Sequence, residues 1–86
     1  MYIQEFIEKS IKSSFDKIFQ MKPKAIELQQ TKKEFEGDIT LVVFPYVKEL
    51  KMSPKEIAEK IGDYLVETNS IVSYNVVSGF LNLSIS

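Results

Sequence analysis

Two segments of the chain carry hydrophobic side chains at helical spacing. In the first, YIQEFIEKSIKSSFDKIFQ (residues 2–20), isoleucine and phenylalanine fall on one face and charged residues on the other. It should end before Pro23, because proline cannot continue the helical hydrogen-bond ladder. The second, PKEIAEKIGDYLVE (residues 54–67), follows a capping box of Ser53 and Glu56 and has proline at its first position. Both patterns predict amphipathic helices whose apolar stripes need a covering surface.

Four further stretches have the β-branched, apolar or alternating composition of strands. They are residues 25–31, 39–44, 71–77 and 80–86, of which residues 39–44 are either a buried strand or a strand-to-helix transition. The last two are joined at Ser78-Gly79, which predicts a hairpin or a bulged bend, and Pro45 begins a short helix after the second strand. This order lacks the regular strand–helix alternation of a doubly wound fold. It predicts an α+β fold, a mostly antiparallel sheet of about four strands with helices packed on one face.

The end of the chain, VSGFLNLSIS, carries an aromatic residue on the polar side of a strand. Leu81, Leu83 and Ile85 alternate with polar residues, so they should face the core. Phe80 and Asn82 then face the other way. The period predicts an aromatic ring and an amide side by side on the open, solvent-facing side of the sheet.

The missing residue types exclude most catalytic chemistry. The 86 residues contain no cysteine and no histidine, and all 11 basic residues are lysines. No disulfide, thiolate metal site, cysteine nucleophile or histidine base is therefore available. Gly37, Gly62 and Gly79 are too far apart for a phosphate-binding loop, although Gly62 inside a helix predicts close packing there. We expect one small domain without catalytic residues or a metal; an enzyme would need two carboxylates facing each other.

The charge is nearly balanced, with a formal net charge of −1 and a pI of about 5.4. Binding to nucleic acid would therefore rest on a local patch. Such a patch is present between residues 20 and 33. This window contains one acidic residue, Glu27, and four lysines, Lys22, Lys24, Lys32 and Lys33. These lysines are candidate phosphate contacts, or else a solvated charge run. The N-terminus lacks the basic region of a signal peptide and no apolar run is long enough to span a bilayer, so no membrane partner is expected.

Three stretches, in this order, resemble the additional N-terminal domain of arginyl-tRNA synthetases. FEGDITLVVFPYVKEL is similar to the family's Gly-Asp element that leads into a small helix. MSPKEIAEKIGDYL resembles the segment in which proline precedes a helix with a Leu/Ile-Ala pair, and NVVSGFLNLSI resembles the strand with the pattern Gly-Pro-Gly-Phe-Ile-Asn. The resemblance runs from about Ile26 to Ile85. It implies that residues 1–86 are a single accessory domain of a longer synthetase, without its catalytic and anticodon-binding domains.

The family attaches arginine to its tRNA with ATP, in a catalytic domain that follows this one. Its His-Ile-Gly-His and Lys-Met-Ser-Lys signatures are absent here, since Lys51-Met52-Ser53 is followed by Pro54. The resemblance thus implies a fragment that is inactive alone and has no cofactor of its own, ATP being bound by the parent enzyme. The implied partners are the D-loop side of tRNA and the enzyme's own catalytic domain, and the implied setting is translation in the cytoplasm.

The resemblance also assigns a site. It implies that Phe80 packs against a D-loop base and that Asn82 bonds the edge of that base, with Gly79 in the same element. Aromatic stacking with a nearby amide is a common way of reading single-stranded RNA. Val77-Ser78 replaces the family's Gly-Pro, so the bend before Phe80 should differ in geometry.

Alternatives remain from the residues themselves. Phe80 could instead cover the edge of the N-terminal helix or lie under a neighbouring domain. Tyr46 and Tyr74 either extend an aromatic surface or are core-edge tyrosines, and Gly37-Asp38 is first a turn and only second an RNA contact. The whole open sheet face could also dock another protein domain, which would make the chain a protein-interaction module.

Overall fold

The elements form much as the patterns predict, with shorter strands. The structure, a computed structural model, describes residues 3–85. Within this range the elements are α1 (Ile3–Phe19), β1 (Leu28–Gln30), β2 (Ile39–Val42), α2 (Phe44–Leu50), α3 (Pro54–Glu67), β3 (Ser73–Val77) and β4 (Phe80–Ser84). The α3 bounds match the prediction because local caps determine them: the Ser53 hydroxyl accepts from the Glu56 N–H at 3.2 Å, and the Ser53 N–H donates to the Glu56 carboxylate at 3.3 Å. Residues 39–44 form a strand-to-helix transition, one of the two alternatives predicted for them, because β2 ends at Val42 and α2 begins at Phe44.

The strands form one four-stranded antiparallel sheet in the order β1-β2-β4-β3. The predicted α+β architecture is confirmed. The last strand of the chain therefore lies inside the sheet, between β2 and β3. In its register with β2, Leu81 lies opposite Leu41 and Asn82 lies opposite Thr40.

The helices cover one face of this sheet. The fully buried side chains of the core come from α1, α3, β2 and β4, and among the largest are Phe15, Ile7, Ile11, Leu41, Ile57, Ile61, Leu65, Leu81 and Leu83. The close packing predicted at Gly62 is confirmed, because a Cβ there would come within 2.6 Å of the Tyr74 ring. Within residues 3–85 no helix is long and apolar enough to cross a membrane.

The β3–β4 connection is a two-residue hairpin. Val77 lies opposite Phe80, and the residues between them, Ser78 and Gly79, have φ angles of 43° and 84°. Positive φ at both central positions is the signature of a type I′ turn, whose twist matches that of the flanking strands. The predicted hairpin at Ser78-Gly79 is confirmed, and it fixes Phe80 as the first residue of β4.

Candidate nucleic-acid interface

A polar row crosses the sheet on the face opposite the helices. Residues paired across antiparallel strands point to the same face, and the pairing runs from Gln29 through Thr40 and Asn82 to Asn75. The next row on β2, β4 and β3 is formed by Val42, Phe80 and Val77. Phe80 and Asn82 therefore do lie on the face without helices. Phe80 does not cover the edge of α1, because its neighbour Leu81 is the one that enters the helical core.

Asn82 is not exposed, which corrects the prediction from the strand period. Its side chain is only 2% exposed. The β1–β2 loop (residues 31–38) crosses over it so closely that a Cβ on Gly37 would lie 3.1 Å from the Asn82 Cβ. Gly37 has a φ of 135°, a conformation that favours glycine. Alternation gives the face on which a side chain lies, but a distant loop decides whether that face is open.

In the buried amide of Asn82 the oxygen has a hydrogen-bond partner and the nitrogen has none among the described residues. Its Oδ1 accepts a 2.6 Å hydrogen bond from the hydroxyl of Thr40, which is itself 3% exposed. The Thr40 hydroxyl is also 2.8 Å from the hydroxyl of Thr31 in the β1–β2 loop. The Asn82 Nδ2 is buried and has no hydrogen-bond partner among the described residues. A buried donor without a partner is costly and rare, so it marks a place where a ligand or water belongs.

A small cavity of about 40 Å³ has Asn82 among its lining residues. Its lining residues are Gln29, Lys32, Phe35, Thr40, Phe80 and Asn82. This volume admits about one water or the edge of a larger group, but not a whole base. The rings of Phe35 and Phe80 both border the cavity, and Phe35 remains 38% exposed. The cavity therefore joins two aromatic residues to the residue that carries the unpartnered amide.

Phe80 is held in place from its other side by Phe44. The two ring centroids are 6.0 Å apart and the ring planes meet at 86°, an edge-to-face arrangement. Phe44 is 52% exposed. Its ring also lies on Gly79, where any Cβ would collide with it. The structural reason for glycine at position 79 is therefore this close approach together with the positive φ.

The four candidate lysines separate into two groups. Lys32 lines the cavity at Asn82, and Lys33 follows it on the same exposed loop. Lys22 borders depressions made by α1 and α2, and Lys24 shares one of them with residues of α2. Neither depression shares a residue with the cavity at Asn82. Of the four lysines only Lys32 lines the cavity, and Lys33 is its neighbour in sequence.

The comparisons with known proteins identify the family. Residues 3–85 match the family described as "Arginyl tRNA synthetase N terminal domain". The chain belongs to this family. It is 49% identical over 88 residues to an arginine–tRNA ligase of Amoebophilus asiaticus, and 42% identical over 97 residues to one of Flavobacterium psychrophilum. These alignments cover 99% and 100% of this chain, which spans only 15% and 16% of the two relatives.

The fold agrees with this assignment. An arginyl-tRNA synthetase of Thermus thermophilus contains a region that superposes with a TM-score of 0.79 and covers 100% of this chain and 14% of its own. At 23% sequence identity this likeness shows the fold. The arginyl-tRNA synthetase N-terminal domain is thus an α+β unit whose sheet has one face free of its own helices.

One departure from the pattern of the arginyl-tRNA synthetase N-terminal domain has a visible consequence. Ser78 occupies the place of the family's proline, and it adopts a φ of 43°. Proline is fixed near −65° and cannot adopt this conformation. The bend before Phe80 therefore differs from one that a Gly-Pro sequence would form.

The two tyrosines belong to the helical side of the domain. Tyr46 is buried and its hydroxyl donates to the Ala25 carbonyl at 2.7 Å, while burial and then the charge of Glu27 raise its pKa. The Tyr74 hydroxyl donates to the Asp63 carboxylate at 2.7 Å. That hydrogen bond, followed by burial and nearby negative charge, raises the pKa of Tyr74 to about 12. The core-edge interpretation is confirmed for both.

Asp38 also has a structural role. Its N–H donates to the Leu83 carbonyl at 2.7 Å, and its carboxylate accepts from the Ile85 N–H at 2.7 Å. These bonds continue the β2–β4 pairing beyond the strand ends, whereas the turn of this loop falls at Lys33-Glu34, ahead of the predicted Gly37-Asp38. In residues 3–85 no group of three His, Cys, Asp or Glu side chains could hold a metal ion.

Sequence reasoning missed part of this site. Phe35 and Thr31 lie in the β1–β2 loop, whose charged composition gave no sign that it folds over Asn82. Thr40 did carry a signal, because it is the one hydroxyl in the otherwise apolar stretch ITLVVF. Its partner became evident only from the register that places it opposite Asn82.

Proposed function

We propose that the chain is the tRNA-binding accessory domain of a longer arginyl-tRNA synthetase, and that its helix-free sheet face holds a base of the tRNA D-loop. Phe80 supplies ring surface and Asn82 a hydrogen bond to the base. The observation that carries this proposal is the unpartnered, buried Nδ2 of Asn82, a residue that lines a small cavity together with two phenylalanines. Loop bases of RNA are held in this way, by an aromatic platform and an amide at the base edge.

The charge distribution of the domain suits a contact that positions the tRNA but contributes little of the total binding affinity. The chain as a whole has a formal net charge of −1. Near the cavity, Lys32 and Lys33 supply positive charge for the phosphates that flank a held base. One base and two phosphates barely exceed the entropic cost of association, so the isolated domain should bind weakly. Linked to a second tRNA-binding surface, the same contact becomes effectively intramolecular and much stronger.

In this proposal the domain itself catalyses no covalent reaction. The relatives are named arginine–tRNA ligases, and this chain spans about one sixth or less of their length. ATP and arginine are bound by the remainder of such an enzyme, which is also the domain's protein partner. The enzyme acts in translation, in the cytoplasm.

The test uses the full-length enzyme that carries this domain. Phe80→Ala or Asn82→Ala should raise the KM for tRNA roughly 5- to 150-fold, the equivalent of losing ~1–3 kcal/mol of stacking or amide contact. The KM for ATP and arginine should stay unchanged. Asn75→Ala is the matched control, since Asn75 lies beside Asn82 in the polar row but is exposed. Thermal unfolding of each variant shows whether the fold is kept. Unchanged KM for tRNA in both folded variants would refute the site.

A second function is favoured by Phe44, whose large exposed ring borders the same face. Such a patch also suits docking of another protein domain. Salt distinguishes the two functions, because phosphate contacts weaken steeply with added salt and apolar docking does not. If Phe44→Ala abolishes binding of a protein domain while tRNA binding keeps its salt dependence, the face serves both partners.

A further inference from the structure

The 2.6 Å bond between Thr40 and Asn82 determines which way the Asn82 amide points. Bonds between a hydroxyl and an oxygen cluster near 2.7–2.8 Å, whereas N–H···O bonds cluster near 2.9–3.0 Å. The structure has the amide oxygen at the Thr40 hydroxyl, and the short distance agrees with an O–H···O bond. The hydroxyl hydrogen of Thr40 is used in this bond.

Thr31 completes a chain of hydrogen bonds with one direction. A hydroxyl has a single hydrogen to donate, and that of Thr40 is already given to Asn82. The 2.8 Å contact between the Thr31 and Thr40 hydroxyls must then be donated by Thr31. The chain runs from Thr31 through Thr40 to the amide oxygen of Asn82. It leaves the amide nitrogen as the free group.

We propose that Thr31 and Thr40 are positioning residues that fix Asn82 as a hydrogen-bond donor, so that the site takes a nucleobase through an acceptor atom, a carbonyl oxygen or a ring nitrogen. This inference rests on the function proposed above and adds the polarity of the contact. Lys32, the charged residue among those that line the cavity, favours the same polarity, because its ammonium group also only donates. A base that turned an exocyclic amino group to Asn82 would leave two donors facing each other. It should bind on the order of tenfold more weakly.

The β1–β2 loop packs against both ends of this series of hydrogen bonds. Gly37 lies against the Asn82 Cβ and also approaches Thr31, whose hydroxyl would be 3.2 Å from a Cβ at position 37. The loop thus holds the hydroxyl of Thr31, where the series of hydrogen bonds begins, close to Asn82, where it ends. Removing either hydroxyl should free the amide to present its oxygen instead.

The experiment uses the full-length enzyme and tRNA ligated from chemically synthesised fragments. Replacing each D-loop nucleotide in turn by an abasic residue finds the position that contacts the domain. At that position the natural base is compared with its nonpolar isostere, which has the same shape and no strong acceptor. In the unaltered enzyme the isostere should raise the KM for tRNA on the order of tenfold. In Thr40→Val this difference should shrink to about twofold or less, and Thr40→Ser, which keeps the hydroxyl, should restore it.

Thr31→Val is the second variant, and Thr31→Ser is its control. Thr31 is half-buried, so this variant tests the same series of hydrogen bonds if Thr40→Val fails to fold. A merely structural role of these hydroxyls would change the KM for both tRNAs equally and leave their ratio unaltered, which would overturn the inference. An isostere that binds as well as the natural base, while the abasic residue binds poorly, would overturn the inference and leave the proposed function standing. If no abasic position changes the KM, both fall.

Discussion

Gly37 lies directly on Asn82, with only 3.1 Å between the Asn82 Cβ and the position that a Cβ on residue 37 would occupy. This contact turns a side chain that alternation places on an open face into a buried one. It also joins the β1–β2 loop to the central strand of the candidate site.

Gly37→Ala should destabilise the domain and open the site. The φ of 135° is strained for alanine, and the new Cβ would press on both Asn82 and Thr31. We expect a loss of ~1–3 kcal/mol in the free energy of unfolding, measured by urea denaturation followed by circular dichroism. Glu36→Ala, at the exposed neighbouring position, should have little effect. Equal stability of Gly37→Ala and the unaltered chain would contradict the described loop.

Ser78→Asn should stabilise the hairpin. Serine occupies a position with a φ of 43°, where asparagine is better tolerated, and Asn-Gly is the preferred pair for a type I′ turn. A gain of ~0.5–1 kcal/mol corresponds to a rise in Tm of roughly 2–8 °C for a domain of this size. Thermal unfolding measures it. The same exchange at Ser73, an exposed strand position, should not raise the Tm; a rise there as large as at Ser78 would argue against the turn as the cause.

Stability should fall between pH 10 and pH 12, in part through Tyr74. Its folded-state pKa is about 12, above the value of about 10 in the unfolded chain, mainly because its hydroxyl donates to Asp63. The contribution of this tyrosine is therefore fully present below pH 10 and is lost as the pH rises through 12. In Tyr74→Phe the urea midpoint should depend less on pH in this window. Some dependence should remain, because the pKa of Tyr46 is raised as well. Parallel curves for both proteins would count against this hydrogen bond.

The lysines should differ in their contribution to tRNA binding. Lys32 lines the cavity and Lys33 adjoins it, whereas Lys22 and Lys24 border other depressions. In the full-length enzyme, Lys32→Gln should weaken tRNA binding and lower the slope of log affinity against log salt by roughly 0.7–0.9. Lys22→Gln is the matched control and should leave that slope unchanged. A larger effect at Lys22 would move the RNA path to the side of α1.

The sequence by itself determined what depends on neighbours a few residues away. The capping box and proline of α3, the breaker after α1 and the two-residue turn before Phe80 act locally, and each was predicted correctly. The α+β class followed from the order of these elements. The period of β4 correctly placed Phe80 and Asn82 on the face away from the helices.

Only the tertiary structure decided what surrounds that pair. Asn82 meets a hydroxyl 42 residues earlier in the chain and a glycine in a loop whose composition indicated nothing but a charged turn. Strand register, which brings Thr40 opposite Asn82, depends on long-range pairing that no local pattern encodes. Burial of the amide, the direction of its free donor and the selection of Lys32 over Lys22 all follow from that pairing, because hydrogen-bond partners and solvent cover are properties of segments brought together by folding.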